Sequence, residues 1–202
     1  MYKVIFTDRY GKNANHCKAK NMSLDDFLYC VGYQKKDIVE GHTQHLGKKL
    51  YDPILNEEMF KNINNCVEIG FNAGHSADKI LTLKKNINMI SFDTMQHSYS
   101  CYGKIYIEEK YDDRHLMFAG TSQKTIPAFH KLHPNYKADL IFIDGDHSEK
   151  GAYLDIVNCK KLAHKDTIIL IDDIIPHQSY GKYVYKALKK AIFENKIILL
   201  DY

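Results

Sequence analysis

From Cys66 onward, short apolar runs alternate with segments whose apolar residues recur every three to four positions. The runs predict β-strands at 66–70, 87–93, 115–119, 138–144, 166–172 and 196–200. The spaced segments predict helices near 75–85, 98–110, 121–133, 148–163 and 180–194. In the last of these, Val184, Ala187, Leu188, Ala191 and Ile192 fall on one face. Leu140-Ile141-Phe142-Ile143 and Ile168-Ile169-Leu170-Ile171 are apolar without alternation, as in strands buried on both faces of a parallel sheet. Such strands alternating with helices predict an α/β fold: a doubly wound, mostly parallel sheet flanked by helices, with ligands at the carboxyl ends of its strands.

Before residue 65 the pattern is different. A short strand is expected at Val4–Phe6, followed by a polar stretch from Thr7 to Lys20. Ser23 is placed to cap a helix through Leu24, Phe27, Leu28 and Val31. A second helix is expected after Pro53, through Ile54, Leu55, Met59, Phe60 and Ile63, with Glu40–Gly47 between them as a loop. Residues 1–64 thus read as a short helical extension or lid of the same domain, and 65–202 as the α/β domain. No internal repeat or Gly/Ser linker separates the two.

The first strand of the α/β domain runs into Glu68-Ile69-Gly70-Phe71-Asn72-Ala73-Gly74-His75-Ser76. This is a buried strand, a tight turn and the first turn of a helix. Gly70 and Gly74 let the backbone turn sharply and let a ligand approach without meeting a Cβ. The free N–H groups that open the following helix suit a polar or anionic ligand. The spacing is G-x-x-x-G; the dinucleotide fingerprint G-x-G-x-x-G would need a glycine where Asn72 stands.

Composition narrows the partners. A chain of 202 residues, 45% hydrophobic and 26% charged, is long enough for a full core and ordinary for a soluble domain. The formal charge is 28 − 25 = +3, with lysines spread along the chain, which gives nucleic acid no support. No stretch reaches the roughly 18 apolar residues of a membrane span. The N-terminus lacks the apolar region of a signal peptide. Cys17, Cys30, Cys66, Cys101 and Cys159 are scattered and odd in number, which favours a reducing compartment over a disulfide framework. The expectation is a cytoplasmic globular protein with no membrane partner.

The predicted strands end in polar signatures at one edge: Glu68 and Gly70, then Asp93, then Gly120-Thr121-Ser122, then Asp144-Gly145-Asp146-His147-Ser148, then Asp172-Asp173. Asp93, 25 residues after Glu68, is placed to accept ribose hydroxyls; the bland alternative is a solvated strand-end carboxylate. If the fourth and fifth strands are neighbours, their ends lie about 5 Å apart. Asp144, Asp172 and Asp173 would then converge, repel one another and need a cation, and oxygen ligands suit Mg²⁺. Alternatively one or two of them cap the next helix, the role expected of Asp146. His147, at the head of that helix, is placed to take a proton from a hydroxyl that the metal has acidified. His42, His45, His75, His97 and His177 have no metal-ligand spacing on a predicted helix, which argues against zinc.

Val67-Glu68-Ile69-Gly70-Phe71-Asn72-Ala73-Gly74-His75-Ser76 resembles the first motif of class I S-adenosylmethionine-dependent methyltransferases. Phe142-Ile143-Asp144-Gly145-Asp146-His147-Ser148 resembles the fourth-strand motif of their metal-dependent small-molecule and sugar O-methyltransferase subgroup. Ser91-Phe92-Asp93 and Ile169-Leu170-Ile171-Asp172-Asp173-Ile174 fit that subgroup's second and fifth strands, so the likeness spans about residues 60 to 195. The resemblance implies a Rossmann-like fold in which Glu68, Gly70, Asn72, Gly74 and Ser76 surround the methionine part of S-adenosylmethionine and Asp93 holds its ribose. It also implies Mg²⁺ on Asp144, Asp172 and Asp173, with His147 as the base. Two departures stand out. The acid that often meets adenine after the third strand is replaced by Gly120-Thr121-Ser122, leaving Thr121 or Ser122 as substitutes. The usual closing hairpin is reduced to one predicted strand, so either Val4–Phe6 or a second subunit, as in a homodimer, is expected to cover the sheet edge.

The reading is a Mg²⁺-assisted O-methyltransferase acting on a small-molecule hydroxyl, a sugar or polyol ahead of a phenol. Its rivals are a methyltransferase acting on nucleic acid, a non-catalytic cofactor binder of the same fold, and an NAD-linked oxidoreductase. The missing G-x-G-x-x-G speaks against the oxidoreductase, and the intact acid set against the binder.

Overall fold

A computed structural model describes residues 6–39 and 58–199. The Glu40–Gly47 loop, most of the Val4–Phe6 strand and the start of the helix after Pro53 lie outside the described residues. In chain order the elements are α1 (Leu24–Cys30), β1 (Asn65–Ile69), α2 (His75–Leu83), β2 (Asn88–Asp93), α3 (Ser98–Tyr111), β3 (His115–Ala119), α4 (Ser122–Leu132), β4 (Ala138–Ile143), α5 (Glu149–Cys159), β5 (Ala163–Ile171) and α6 (Gly181–Phe193). They fall into two compact units, one drawn from Met1–Asn62, Asn72–Lys85 and Met95–Leu116, the other from Ile63–Phe71, Asn86–Thr94 and Met117–Tyr202.

The second unit is built on a five-stranded sheet of order β3-β2-β1-β4-β5. The order reverses between β1 and β4, the switch point at which doubly wound sheets open a crevice. Strands β1, β2, β4 and β5 are parallel, with Val67 opposite both Ile90 and Ile141, and Ile141 opposite Ile169. One face carries Val67, Ile69, Ile90, Phe92, Ile141 and Ile143. Against it pack Ile126 and Phe129 of α4, Ile156 and Cys159 of α5 and Ala191 of α6. On the other face Cys66, Met89, Leu140 and Phe142 are buried too, which is why these strands show no alternation in sequence.

Three boundaries differ from expectation. Helix α5 stops at Cys159, because Leu162 already accepts the Ala138 N–H (2.8 Å) and brings the chain alongside β4, so β5 starts at Ala163. No strand forms over Lys196–Leu199. There the backbone closes α6 instead: Asn195, at φ 53°, donates its N–H to Ile192 (2.9 Å), and Lys196 donates to Ala191 (2.9 Å). That pair of hydrogen bonds is a Schellman cap, and it uses the Lys196 amide with which the strand would begin. The described part of the helix expected up to Ile63 is a single 3₁₀ turn, Glu58–Phe60.

In the first unit Ser23 caps α1 as expected, its Oγ accepting the Asp26 N–H (3.2 Å). Phe27 of α1 meets Tyr106 of α3 with ring centroids 5.5 Å apart. Gly103 lets α3 pass close to the Ala73 carbonyl, into which a Cβ would run. His75 Nε2 lies 2.9 Å from Asp25 Oδ1. Cys17 and Cys30 form a disulfide, their Cα atoms 6.0 Å apart, where the scattered cysteines of the sequence favour a reducing compartment over a disulfide framework. Helix α1 folds Cys30 back onto Cys17, a proximity that a 13-residue separation does not reveal. The cysteine argument for a reducing compartment therefore loses its basis. Among the described residues no helix is long and apolar enough to cross a membrane.

Ile141 is fully buried on the central strand β4. Ile141→Ala is expected to cost about 2–5 kcal/mol, read as a lowered urea midpoint with unchanged slope.

Candidate active site at the strand ends

The register that stacks the core also levels the strand ends. Ile69 lies opposite Phe92 and Ile143, and Ile143 opposite Ile171. The next residues, Gly70, Asp93, Asp144 and Asp172, therefore leave the sheet in one row. Backbone bonds carry the row one step past the strands. Gly70 N–H donates to Phe92 (2.9 Å), Asp144 N–H to Ile69 (2.8 Å), Asp172 N–H to Ile143 (2.9 Å) and Gly120 N–H to Asp93 (2.7 Å). Gly70 is held at φ 92°, and a Cβ on it would run into the Asp144 carbonyl oxygen. Both conformation and space therefore require glycine there.

Asp93 turns one carboxylate oxygen back to accept the Phe71 N–H (2.8 Å), tying the end of β2 to the glycine turn. Glu68, two residues before Gly70, is wholly buried and accepts the Ser91 hydroxyl (2.6 Å). The turn continues into the first unit. There Asn72 takes a left-handed conformation (φ 51°) and donates its side-chain amide to Val39 (3.0 Å). Gly74, at φ 92°, precedes α2, and Ser76 lies in that helix's first turn. At the other end of the row Thr121 precedes α4, and its carbonyl accepts the Thr125 N–H and hydroxyl, each at 3.0 Å. Ser122 is buried and donates its hydroxyl to Asp155.

Of the metal candidates, Asp144 and Asp173 converge and Asp172 does not. Asp144 Oδ1 is 3.4 Å and Asp173 Oδ2 3.3 Å from His147 Nε2, and one ligand atom from each of the three lies within 4.8 Å of the others. Each of these side chains is about one quarter exposed, open enough for a ligand to reach. Asp172 accepts the Asp173 N–H (2.7 Å) instead, and Asp173 sits at φ 58°. A non-glycine residue in the left-handed region is uncommon, and such backbone clusters at functional sites. Gly181 leaves room for that bend, since a Cβ there would crowd the Asp173 carbonyl and Ile175. The two carboxylates are hard oxygen donors and fit a divalent cation of the Mg²⁺ or Mn²⁺ kind, with the His147 imidazole beside them. Asp146 does not cap α5 itself: its carboxylate accepts the Ser148 N–H (2.8 Å), and Ser148 is the residue that caps α5, through the Gly151 N–H (3.0 Å).

One buried acid was missed in sequence. Asp155 lies on the apolar stripe of α5, at helical spacing with Ala152, Ile156 and Cys159, and is 1% exposed. A lone carboxylate on a buried helix face was the available signal.

Gly70→Ala is expected to lose about 2 kcal/mol or more of stability, from left-handed strain added to the overlap with the Asp144 carbonyl. Denaturant unfolding beside Gly11→Ala checks this, because Gly11 has positive φ with open space around it.

The comparisons with known proteins agree with this geometry. A family model described as a methyltransferase domain matches residues 67–174, from β1 through the turn after β5. CalS11, described as a TDP-rhamnose 3'-O-methyltransferase of calicheamicin biosynthesis, superposes in its apo form with TM-score 0.62 at 15% identity, over 78% of this chain and 75% of its own. An O-methyltransferase from Bacillus cereus, solved in complex with S-adenosylhomocysteine (SAH), superposes with TM-score 0.61 at 15% identity, over 89% of this chain and 88% of its own. Spermidine synthase superposes with TM-score 0.51 at 14% identity, over 74% of this chain and 50% of its own. No curated protein matches the sequence. With its family model covering more than half of the chain, on a Rossmann-like sheet of the matching fold, this protein belongs to the methyltransferase-domain family.

Proposed function

We propose that the protein is a Mg²⁺-dependent O-methyltransferase that methylates a hydroxyl of a small sugar or polyol. The observation that carries this reading is the convergence of Asp144, His147 and Asp173 beside the Gly70 turn, within one compact unit. The sugar preference draws support from the described activity of CalS11.

In this reading Asp93 accepts the ribose hydroxyls of S-adenosylmethionine, and the backbone at Gly70 admits the methionine end. Thr121 and Ser122 stand where the adenine is expected. Asn72, Gly74 and Ser76 keep the roles that the first motif implies for them. S-adenosylmethionine supplies a methyl group on a sulfonium centre. Asp144 and Asp173 hold the metal, and Asp172 fixes the Asp173 backbone beside it. Bound there, Mg²⁺ supplies Lewis-acid chemistry that draws down the pKa of an acceptor hydroxyl. His147 Nε2, facing both acids, takes the hydroxyl proton as the oxygen gains the methyl group. Positioning in line supplies most of the remaining rate.

Calorimetric titration with SAH, with and without Mg²⁺ and with NAD⁺ as control, tests the reading. Micromolar binding of SAH and none of NAD⁺ is expected. Asp93→Ala should weaken SAH by about ten- to a hundredfold, the value of hydrogen bonds to a charged group. Methyl transfer to a panel of sugars should stop in EDTA and return with Mg²⁺. His147→Ala should lower the turnover number by about 10²–10⁴. Failure of the wild-type protein to bind SAH under either condition would remove the reading.

A further inference from the structure

Asp155 is a buried acid, and among the described residues no cationic side chain pairs with it. Its Oδ1 accepts the Ser122 hydroxyl and faces Gln123 Nε2 at 3.5 Å, both at the start of α4. Its Oδ2 faces the Asp146 N–H at 3.5 Å, in the turn after β4. Gly145 in the same turn lies so close that a Cβ would meet Asp155 Oδ2 at 2.9 Å and Ile69 Cγ2 at 2.9 Å. One carboxylate thus touches two loops at the carboxyl edge of the sheet. The first carries Thr121 and Ser122, and the second runs from Asp144 to Ser148.

Burial pushes the Asp155 carboxyl up to about 6, opposed by the Ser122 and Asp146 hydrogen bonds and reinforced by the Asp146 charge. Among the described residues the ionisable groups that act with it are Asp146 in the turn and the Cys159 thiol one helical turn along α5, and neither supplies a positive charge. The folded value stands above the ordinary 3.8. The stability this group contributes is therefore complete below about pH 4 and is lost as pH rises through about 6. At neutral pH the fold carries a buried charge that an amide would remove. A residue kept only for packing would not need that charge.

We infer that Asp155 is a positioning residue of the transfer reaction, holding the Ser122 segment and the Asp144–Ser148 turn at one fixed separation. The inference rests on the methyltransferase reading and adds to it the residue that locks the cofactor-side loop to the acid-side loop. Asp155 meets neither cofactor nor acceptor and acts through Ser122 and the Gly145–Asp146 backbone.

Asp155→Asn tests this, because an asparagine carries no charge and has one acceptor oxygen where the carboxylate uses two, so it cannot accept from both the Ser122 hydroxyl and the Asp146 N–H. Thermal unfolding and SAH titration of wild-type and variant protein are run at pH 7.5 and 5. The variant is expected to melt a few degrees above wild type at pH 7.5, with the gap closing toward pH 5. It is expected to bind SAH about tenfold more weakly at pH 7.5, although Asp155 does not touch that ligand. A variant that binds SAH as wild type does would overturn the positioning role alone. A variant that melts below wild type at both pH values would also overturn it, since that is the signature of a packing residue. Wild-type protein that binds no SAH would overturn both the inference and the reading beneath it.

Discussion

The site depends on the close approach of two backbones, where Gly70 meets the carbonyl of Asp144 with no room for a Cβ. That approach exists because β1 and β4 are neighbours in parallel register, with Ile69 opposite Ile143. The same register sets Asp93 and Asp172 in the row through β2 and β5. Shifting one strand by a residue would send its apolar side chains to the wrong face and take its acid out of the row. Core packing and site geometry are therefore one constraint, set by the same side chains.

The site's acids pull in different directions. Glu68, Asp93 and Asp172 spend carboxylate oxygens on Ser91 or on backbone N–H groups, and so shape the turns. Asp144 and Asp173 turn theirs toward His147. Asp155 lies beneath the surface and meets both neighbouring loops. A buried carboxylate without a cation costs stability at neutral pH, and the left-handed backbone of Asp173 costs more. Local expense of this kind is expected where a fold gives up stability to hold reactive groups.

Most of the sheet was legible in sequence because continuous apolar runs have few other uses in a chain of this composition. β3 falls on its predicted residues, and β1, β2 and β4 start or end within one residue of theirs. The strand expected at 196–200 failed because Asn195 turns left-handed and its neighbour's amide caps α6, a local contest that hydrophobicity does not report. The disulfide escaped notice for a related reason, since only the fold of α1 brings Cys30 to Cys17. Of the three acids grouped by sequence, Asp172 and Asp173 are adjacent and cannot both face the same way from an extended chain. The structure turns Asp173 toward His147 and leaves Asp172 bonded to its neighbour's N–H.

The account stands on the claim that Asp144 and Asp173 share one divalent-cation site, with His147 beside it as the base. The measurement that meets it most directly is Mn²⁺ titration followed by paramagnetic broadening of assigned amide signals, in wild type and in Asp173→Asn. The account predicts broadening centred on Gly145–His147 and on Asp173, saturating with Mn²⁺, reversed by Mg²⁺, and lost in the variant. Broadening that spares those residues, or that persists unchanged in Asp173→Asn, would contradict it.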